Sequence, residues 1–443
     1  MDIKRPFSRF SVFSNHIEEA EEEPSSATVQ HLLGLRGFLV IQSFIWVFLQ
    51  TFAPTAVKDC ANTDGPGVEL ALRKTLSVLF WNGSLIYSAI IFLSARTICL
   101  PFLRQPTSLN LANTIFRRGI RLWIPTAVSL ALVTLIFSQT GVSYIDDFKT
   151  RTGNISLETP YQLKSGLVYL NAVFNLFWTT HEYATQAGAT AFPSGTLWTV
   201  NLVFMQSYTV YMAMVIIPHT LPQWRLKAAI VFILTAWWVQ SWAWFSISGL
   251  LLTDVLKNMA FRERSATGIP IWKIERRIPT WILYAVVLIA GVIMEYLWTA
   301  WRPELADKEL IAHTGLYNSG GLNTGFDERQ PQARIDNYLI IVGFFLLLET
   351  SEWLQWIFAN PLFVFLGRRS LSYFLVQSII VSTAGIKMYI HMTASSGASN
   401  GGTVVACLVM CTAFLPVAGE IFYRAIERPT ELLAHLLFKW VRE

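Results

Sequence analysis

The sequence predicts an all-α, polytopic membrane helix bundle of about ten transmembrane helices with both termini in the cytosol. Three observations predict it. Only 14% of the 443 residues are charged while 53% are hydrophobic, against about 25% charged in soluble domains, and the mean hydropathy is +0.43. The 17 Trp and 14 Tyr are the ring types that collect at membrane–water interfaces. Apolar runs also recur at the length of about 20 residues that a hydrocarbon core of about 30 Å demands of a helix.

The first 30 residues hold Glu18, Glu19, Glu21, Glu22 and Glu23 ahead of Pro24-Ser25-Ser26, the composition of a disordered, acidic cytoplasmic tail. No short apolar core precedes a cleavage site there, so the first span itself is expected to direct insertion. Residues 31–437 form the transmembrane domain. Its expected spans are Leu33–Phe52, Leu76–Ile98, Ile120–Phe137, Gly166–Thr180, Leu197–Ile217, Leu226–Leu252, Trp281–Trp301, Tyr338–Phe358, Leu362–Ile386 and Thr403–Tyr423. The fourth is short and interrupted by Asn171 and Asn175.

Orientation follows from basic residues near the span ends. With the N-terminus inside, the cytosolic face receives Arg96, Arg104, Arg117, Arg118 and Arg121, then Lys257, Arg262 and Arg264 with Lys273, Arg276 and Arg277, and finally Arg424, Arg428, Lys439 and Arg442. The other face receives Asp146-Asp147, Asp327-Glu328 and the sequon Asn154-Ile155-Ser156, which makes Asn154 the candidate glycosylation site. An internal membrane such as the endoplasmic reticulum is the expected location. The net charge of +5, spread over loops, carries no nucleic-acid signal. Cys60, Cys99, Cys407 and Cys411 have neither disulfide-framework nor metal-ligand spacing.

Four local patterns follow in order: Leu33-Gly34-Leu35-Arg36-Gly37, Arg117-Arg118-Gly119-Ile120-Arg121-Leu122-Trp123-Ile124-Pro125, Leu366-Gly367-Arg368-Arg369-Ser370-Leu371-Ser372-Tyr373-Phe374-Leu375, and Ile421-Phe422-Tyr423-Arg424-Ala425-Ile426-Glu427-Arg428-Pro429. On about ten spans, this order resembles the acyltransferase 3 family of membrane O-acyltransferases, and Gly195-Thr196-Leu197-Trp198-Thr199 resembles its fungal branch. The resemblance runs from Val29 to Leu437. It implies a membrane enzyme that moves an acyl group, often acetyl, from coenzyme A to a hydroxyl of a lipid, sugar or natural product.

The chain departs from the family where the chemistry is concentrated. Val47 stands where the family's first-span histidine is expected, Val203 where its fifth-span glutamate is, and Gln377 where its ninth-span histidine is. A positioned base contributes about 10²–10⁴ to the rate of such a transfer, and valine can neither give nor take a proton. His181, followed by Glu182, is the replacement pair that the sequence offers. The same two residues at a helix end also fit simple exposure to interfacial water.

Arg36, at the head of an uncharged stretch between Gly34 and Gly37, and Arg117, Arg118 and Arg121 are the candidate ligands for the phosphates of acyl-CoA, the expected co-substrate. Anchoring to lipid headgroups accounts for a cytosolic arginine cluster equally well. Gln42, Gln206, Tyr208, Tyr373 and Gln377 carry polar groups to membrane depth and are the candidate pocket for the hydroxyl acceptor. Such groups also serve as hydrogen-bonding glue between helices. A second functional class therefore stays open, in which the same scaffold, without catalysis, binds or transports a small lipophilic ligand.

Overall fold

The computed structural model describes residues 27–180, 182–270, 277–306, 330–395 and 400–442. Most of the acidic tail expected over residues 1–30 lies outside them, as do His181 and the Asp327-Glu328 pair. The described chain is helical apart from loops and one two-residue antiparallel pairing, Ile269–Pro270 with Arg277–Ile278. Among the described residues, seven helices are long and apolar enough to cross a membrane, and a bent pair taken as one span would make an eighth.

The first helix, α1 (Ala27–Phe52), packs against α2 (Gly83–Ile98), which continues a span running from Ser77 to Arg104. Asn82 caps α2 by accepting from the Leu85 amide, satisfying one of the donors a helix start leaves orphaned. Next comes α3 (Ser108–Thr140), capped by Thr107 and carrying Pro125 in its interior. At 33 residues it would measure about 50 Å, well beyond the expected Ile120–Phe137.

The short α4 (Gly166–Trp178) follows, with the chain then turning back so that the Tyr161 amide reaches the Thr190 carbonyl at 3.0 Å. Thirteen residues make about 20 Å of helix, too little for a hydrocarbon core. Tyr169 donates to the Ala127 carbonyl of α3, and Asn201, on α5 (Trp198–Ile216), donates to the Leu176 and Thr179 carbonyls.

The run expected as one span, Leu226–Leu252, is instead two helices, α6 (Pro222–Trp238) and α7 (Ala243–Asn258). Gln240 turns the chain at φ 54, and Arg225 pairs with Asp254 at 2.7 Å, so the start of α6 lies beside the end of α7. Hydropathy averaged over a window passes across a four-residue turn set among tryptophans. The break occurs at the adjacent polar pair Gln240-Ser241.

After a short helix α8 (Phe261–Thr267) come α9 (Thr280–Tyr296) and α10 (Ile335–Thr350), packed along their lengths. The expected span Tyr338–Phe358 breaks at Ser351, which caps α11 (Glu352–Phe358), and the two pieces are bent by 103°. The expected Leu362–Ile386 also divides: α12 (Pro361–Arg368) stops at Arg369, and α13 (Ser370–Ile380) continues through a one-turn π-bulge into α14 (Ile386–Ser395). The last helices are α15 (Asn400–Phe422) and α16 (Arg428–Arg442).

The glycines of two sequence patterns have a packing reason. A Cβ on Gly34 would collide with the Phe358 carbonyl, one on Gly37 with the Phe363 carbonyl, and one on Gly367 with the Leu33 carbonyl. Small residues that let backbones touch are the usual currency of helix association in lipid. They fix α1 against α11 and α12, and so fix where Arg36 stands.

Candidate functional site

Charged side chains gather inside the bundle at the end where α1 begins. Arg36 Nη2 donates to Thr97 Oγ1 at 2.9 Å. Arg118, on α3, donates from Nε to Ser207 Oγ at 3.2 Å and from Nη2 to Ser94 Oγ at 2.6 Å, which ties α3 to α5 and α2. Its charged guanidinium neighbours are Arg121 and Arg36. No carboxylate among the described residues pairs with Arg118. Arg121 does have one, Glu431 on α16. Arg117 is half-buried on the same helix.

A second cluster adjoins the first through the neighbours Arg96 and Thr97. Glu349, 2% exposed at the end of α10, takes Arg96 Nη2 and His31 Nε2 on one oxygen, the latter at 3.3 Å, and Arg262 Nη2 on the other at 3.3 Å. Arg96 also reaches Thr253 Oγ1 at 3.5 Å. His31 is 1% and Arg96 3% exposed. Buried charge is tolerated only when paired, and one carboxylate here answers two arginines and an imidazole. His31 Nδ1 and Arg96 Nε have no hydrogen-bond partner among the described residues.

The arginines expected to bind anions do come together, Arg36, Arg118 and Arg121 most closely. Of the expected base pair, Glu182 does not join them. His181 lies outside the described residues, and Glu182 is exposed in a tight turn at φ 53. Its neighbour Tyr183 accepts from Trp242 Nε1 at 3.1 Å, just before α7, whereas Arg96 meets Thr253 near the other end of that helix. Eleven residues of helix separate Trp242 from Thr253, about 16 Å at the standard rise.

The expected pocket residues scatter. Gln206 lines a crevice with Ser94, Val203, Ser207 and Ser246 that is too narrow to admit water, and Gln206 Oε1 is buried without a partner among the described residues. Tyr208 is instead 41% exposed on the outside of the bundle against Phe204 and Tyr211, because its position on α5 turns away from the face that Ser207 presents to Arg118. Gln377 is fully buried and donates to Ser43 Oγ at 2.6 Å, and Ser43 lies 3.4 Å from Tyr87 Oη. Gln42 is buried on α1, and the Tyr373 ring packs on Gly419. Val47 is fully buried in the apolar core.

Asn154 is 1% exposed. Its Nδ2 donates to the Gln50 and Thr51 carbonyls at 2.9 and 3.0 Å, and its Oδ1 accepts from the Ser156 and Leu157 amides. A sugar on that nitrogen needs space that the folded loop does not leave. Cys60, in the same end loops, has its thiol pushed up to about 12 by burial and by the Asp59 carboxylate, which makes it inert.

Sequence reading missed His31, Arg96 and Arg262 as site residues. Arg96 and Arg262 registered only as charges that orient the chain, and His31 was not singled out. The usable signal was Glu349: a carboxylate at the end of a 16-residue apolar helix requires a cation.

Fold and site together define a multi-pass helical membrane protein with a cluster of buried cations at one end. No protein-family model matches the chain, no curated protein matches it, and no solved structure does.

Proposed function

We propose that this chain is a membrane acyltransferase that takes an acyl group from coenzyme A and delivers it to a hydroxyl acceptor. The observation that carries the reading is Arg118. A guanidinium held inside a helix bundle by two serine hydroxyls, with Arg36 and Arg121 beside it and no carboxylate of its own among the described residues, is an anion site in search of its anion. A pyrophosphate or 3'-phosphate supplies the oxygens that such forks accept. The four sequence patterns that resemble the acyltransferase 3 family supply the reaction type. The crevice at Gln206 would have to open for an acyl chain to pass.

We infer ten crossings, reached by a different route from the one the hydropathy pattern suggests. On this reading α4 dips in and returns while α6 and α7 each cross, which gives the same count and parity as the hydropathy pattern suggests. Both chain ends then share the face that carries Arg36, and the excess of arginine there makes it the cytosolic face.

The test is binding of coenzyme A to the purified protein in nanodiscs. Arg118→Ala is expected to weaken it at least tenfold and Arg118→Lys nearly as much, because a lysine cannot fork. Unchanged affinity in both variants would remove the anion site.

A second reading keeps the scaffold and drops the chemistry. Its support is the centre of the bundle, where Gln377, Ser43 and Tyr87 form a hydrogen-bonded row of amide and hydroxyls beside the apolar Val47. Such a row binds and orients a ligand without moving its proton. Coenzyme A affinity with no acyl transfer to any hydroxyl would select this reading.

A further inference from the structure

We propose that His31 is the group that accepts the hydroxyl proton, with Glu349 as its positioning residue; the assignment rests on the acyl-transfer reading above. The reaction needs a base, and three expected positions for one are Val47, Val203 and Gln377. One histidine in the cluster is held by a carboxylate: His31 Nε2 faces Glu349 Oε1 at 3.3 Å, and Nδ1 has no partner among the described residues. With Nε2–H donated to the carboxylate, Nδ1 presents its lone pair. The carboxylate fixes the tautomer and the ring plane, as in other nucleophile–base–orienter sets.

The surroundings suit the role. Arg96 shares the same Glu349 oxygen, so its guanidinium adjoins the imidazole, and its Nε–H is also unsatisfied. An acceptor hydroxyl between the two would give its proton to Nδ1 and take a hydrogen bond from Nε. The anion site is one residue away along α2, where Thr97 holds Arg36.

The step balances. The hydroxyl oxygen bonds to the thioester carbonyl carbon as its proton passes to Nδ1, the carbon–sulfur bond breaks, and the leaving thiolate takes that proton back from the imidazolium. The products are an ester and free coenzyme A.

Access is through Arg262. It is the one exposed member of the cluster, 47% open, and it reaches Glu349 from α8. The residue before α8, Ala260, sits at φ 50, a left-handed conformation that L-residues adopt under strain. A helix of seven residues hinged there can lift Arg262 away and uncover His31.

The experiment uses the full chain in nanodiscs, acetyl-coenzyme A as donor and water as stand-in for the hydroxyl, with release of free thiol as the readout and coenzyme A affinity as the control for folding. His31→Gln is expected to keep affinity within twofold and to lower thiol release about 10²-fold or more, within the range for a lost general base. Imidazole in the buffer is expected to restore part of the rate in His31→Gly. Glu349→Gln lowers the rate less, and adding it to His31→Gln lowers it no further, because the pair acts as a unit. Wild-type thiol release in His31→Gln would overturn the base and leave the acyl-transfer reading standing. No release by the wild-type chain would overturn that reading, and the base with it.

Discussion

Removing Arg96 or Glu349 alone should be far more damaging than removing both. Arg96 and Glu349 are 3% and 2% exposed and in direct contact. Taking away one partner of such a pair leaves the other charged, buried and poorly answered, at a typical cost of about 3–5 kcal/mol. Glu349→Leu leaves Arg96 facing Arg262 and His31 without any anion, so it belongs at the upper end. Arg96→Met leaves Glu349 with Arg262 and His31, so it belongs at the lower end. Replacing a whole buried pair by apolar groups of similar volume is often neutral, and Arg96→Met with Glu349→Leu should therefore cost less than either single change. Arg262→Ala should cost under about 1 kcal/mol, since a half-exposed arginine is screened by water. The assay is reversible unfolding in a mixed micelle titrated with denaturing detergent, with a double-mutant cycle drawn from the four free energies. Additive single and double effects would refute the argument, because they would mean that the two side chains do not depend on each other.

The glycine contacts predict that Gly34→Leu and Gly367→Leu prevent α1 from seating on α11 and α12, read as loss of a monodisperse peak in size-exclusion chromatography; Gly67→Ala, where a Cβ meets nothing within 4 Å, should behave as wild type. Glycosidase treatment is expected to leave the electrophoretic mobility unchanged at Asn154, and Asn154→Ala should cost about 1–3 kcal/mol because the Gln50 and Thr51 carbonyls and two amides lose their partner. Glu69, in the first turn of a short helix (Gly67–Lys74) outside the spans and accepting from Thr55 Oγ1, has its carboxyl raised above its ordinary 4.5 by burial. A raised acid holds its proton better folded than unfolded, so this contribution is present at low pH and is lost as pH rises from 4.5 through the folded value. Glu69→Gln should remove that part of the pH dependence in an unfolding titration and do little else.

How much of this could be read from the sequence divides along a physical line. Hydropathy reports which residues avoid water, and that sufficed for the all-helical bundle and for α1, α2, α5 and α9. It fails at turns made of residues that are themselves apolar or few. The hairpin at Gln240-Ser241 is buried in a tryptophan run, and α10 breaks at Ser351, a residue whose cap to the Leu354 amide is a local event with no hydropathic signature. The fourth expected span failed for the opposite reason: α4 is apolar enough to cross, but thirteen residues are too few, and only the return of Thr190 to Tyr161 shows where it goes.

The site divides in the same way. The convergence of Arg36, Arg118 and Arg121 was legible because each arginine violates the apolar pattern near a helix end, and a charge in that setting has to be explained. The pairing of His31 with Glu349 was not, because 318 residues separate them and neither position says which of several helix ends will meet the other. What would have narrowed the choice is charge balance: Glu349 falls inside the expected span Tyr338–Phe358 and Arg96 inside Leu76–Ile98, and a carboxylate at that depth requires a cation. Starting from that buried carboxylate and asking what meets it leads to Arg96 and His31, where a search for His followed by an adjacent acid led to His181. Neighbours in sequence point about 100° apart on a helix, so the useful carboxylate for a membrane histidine is one that comes from another helix.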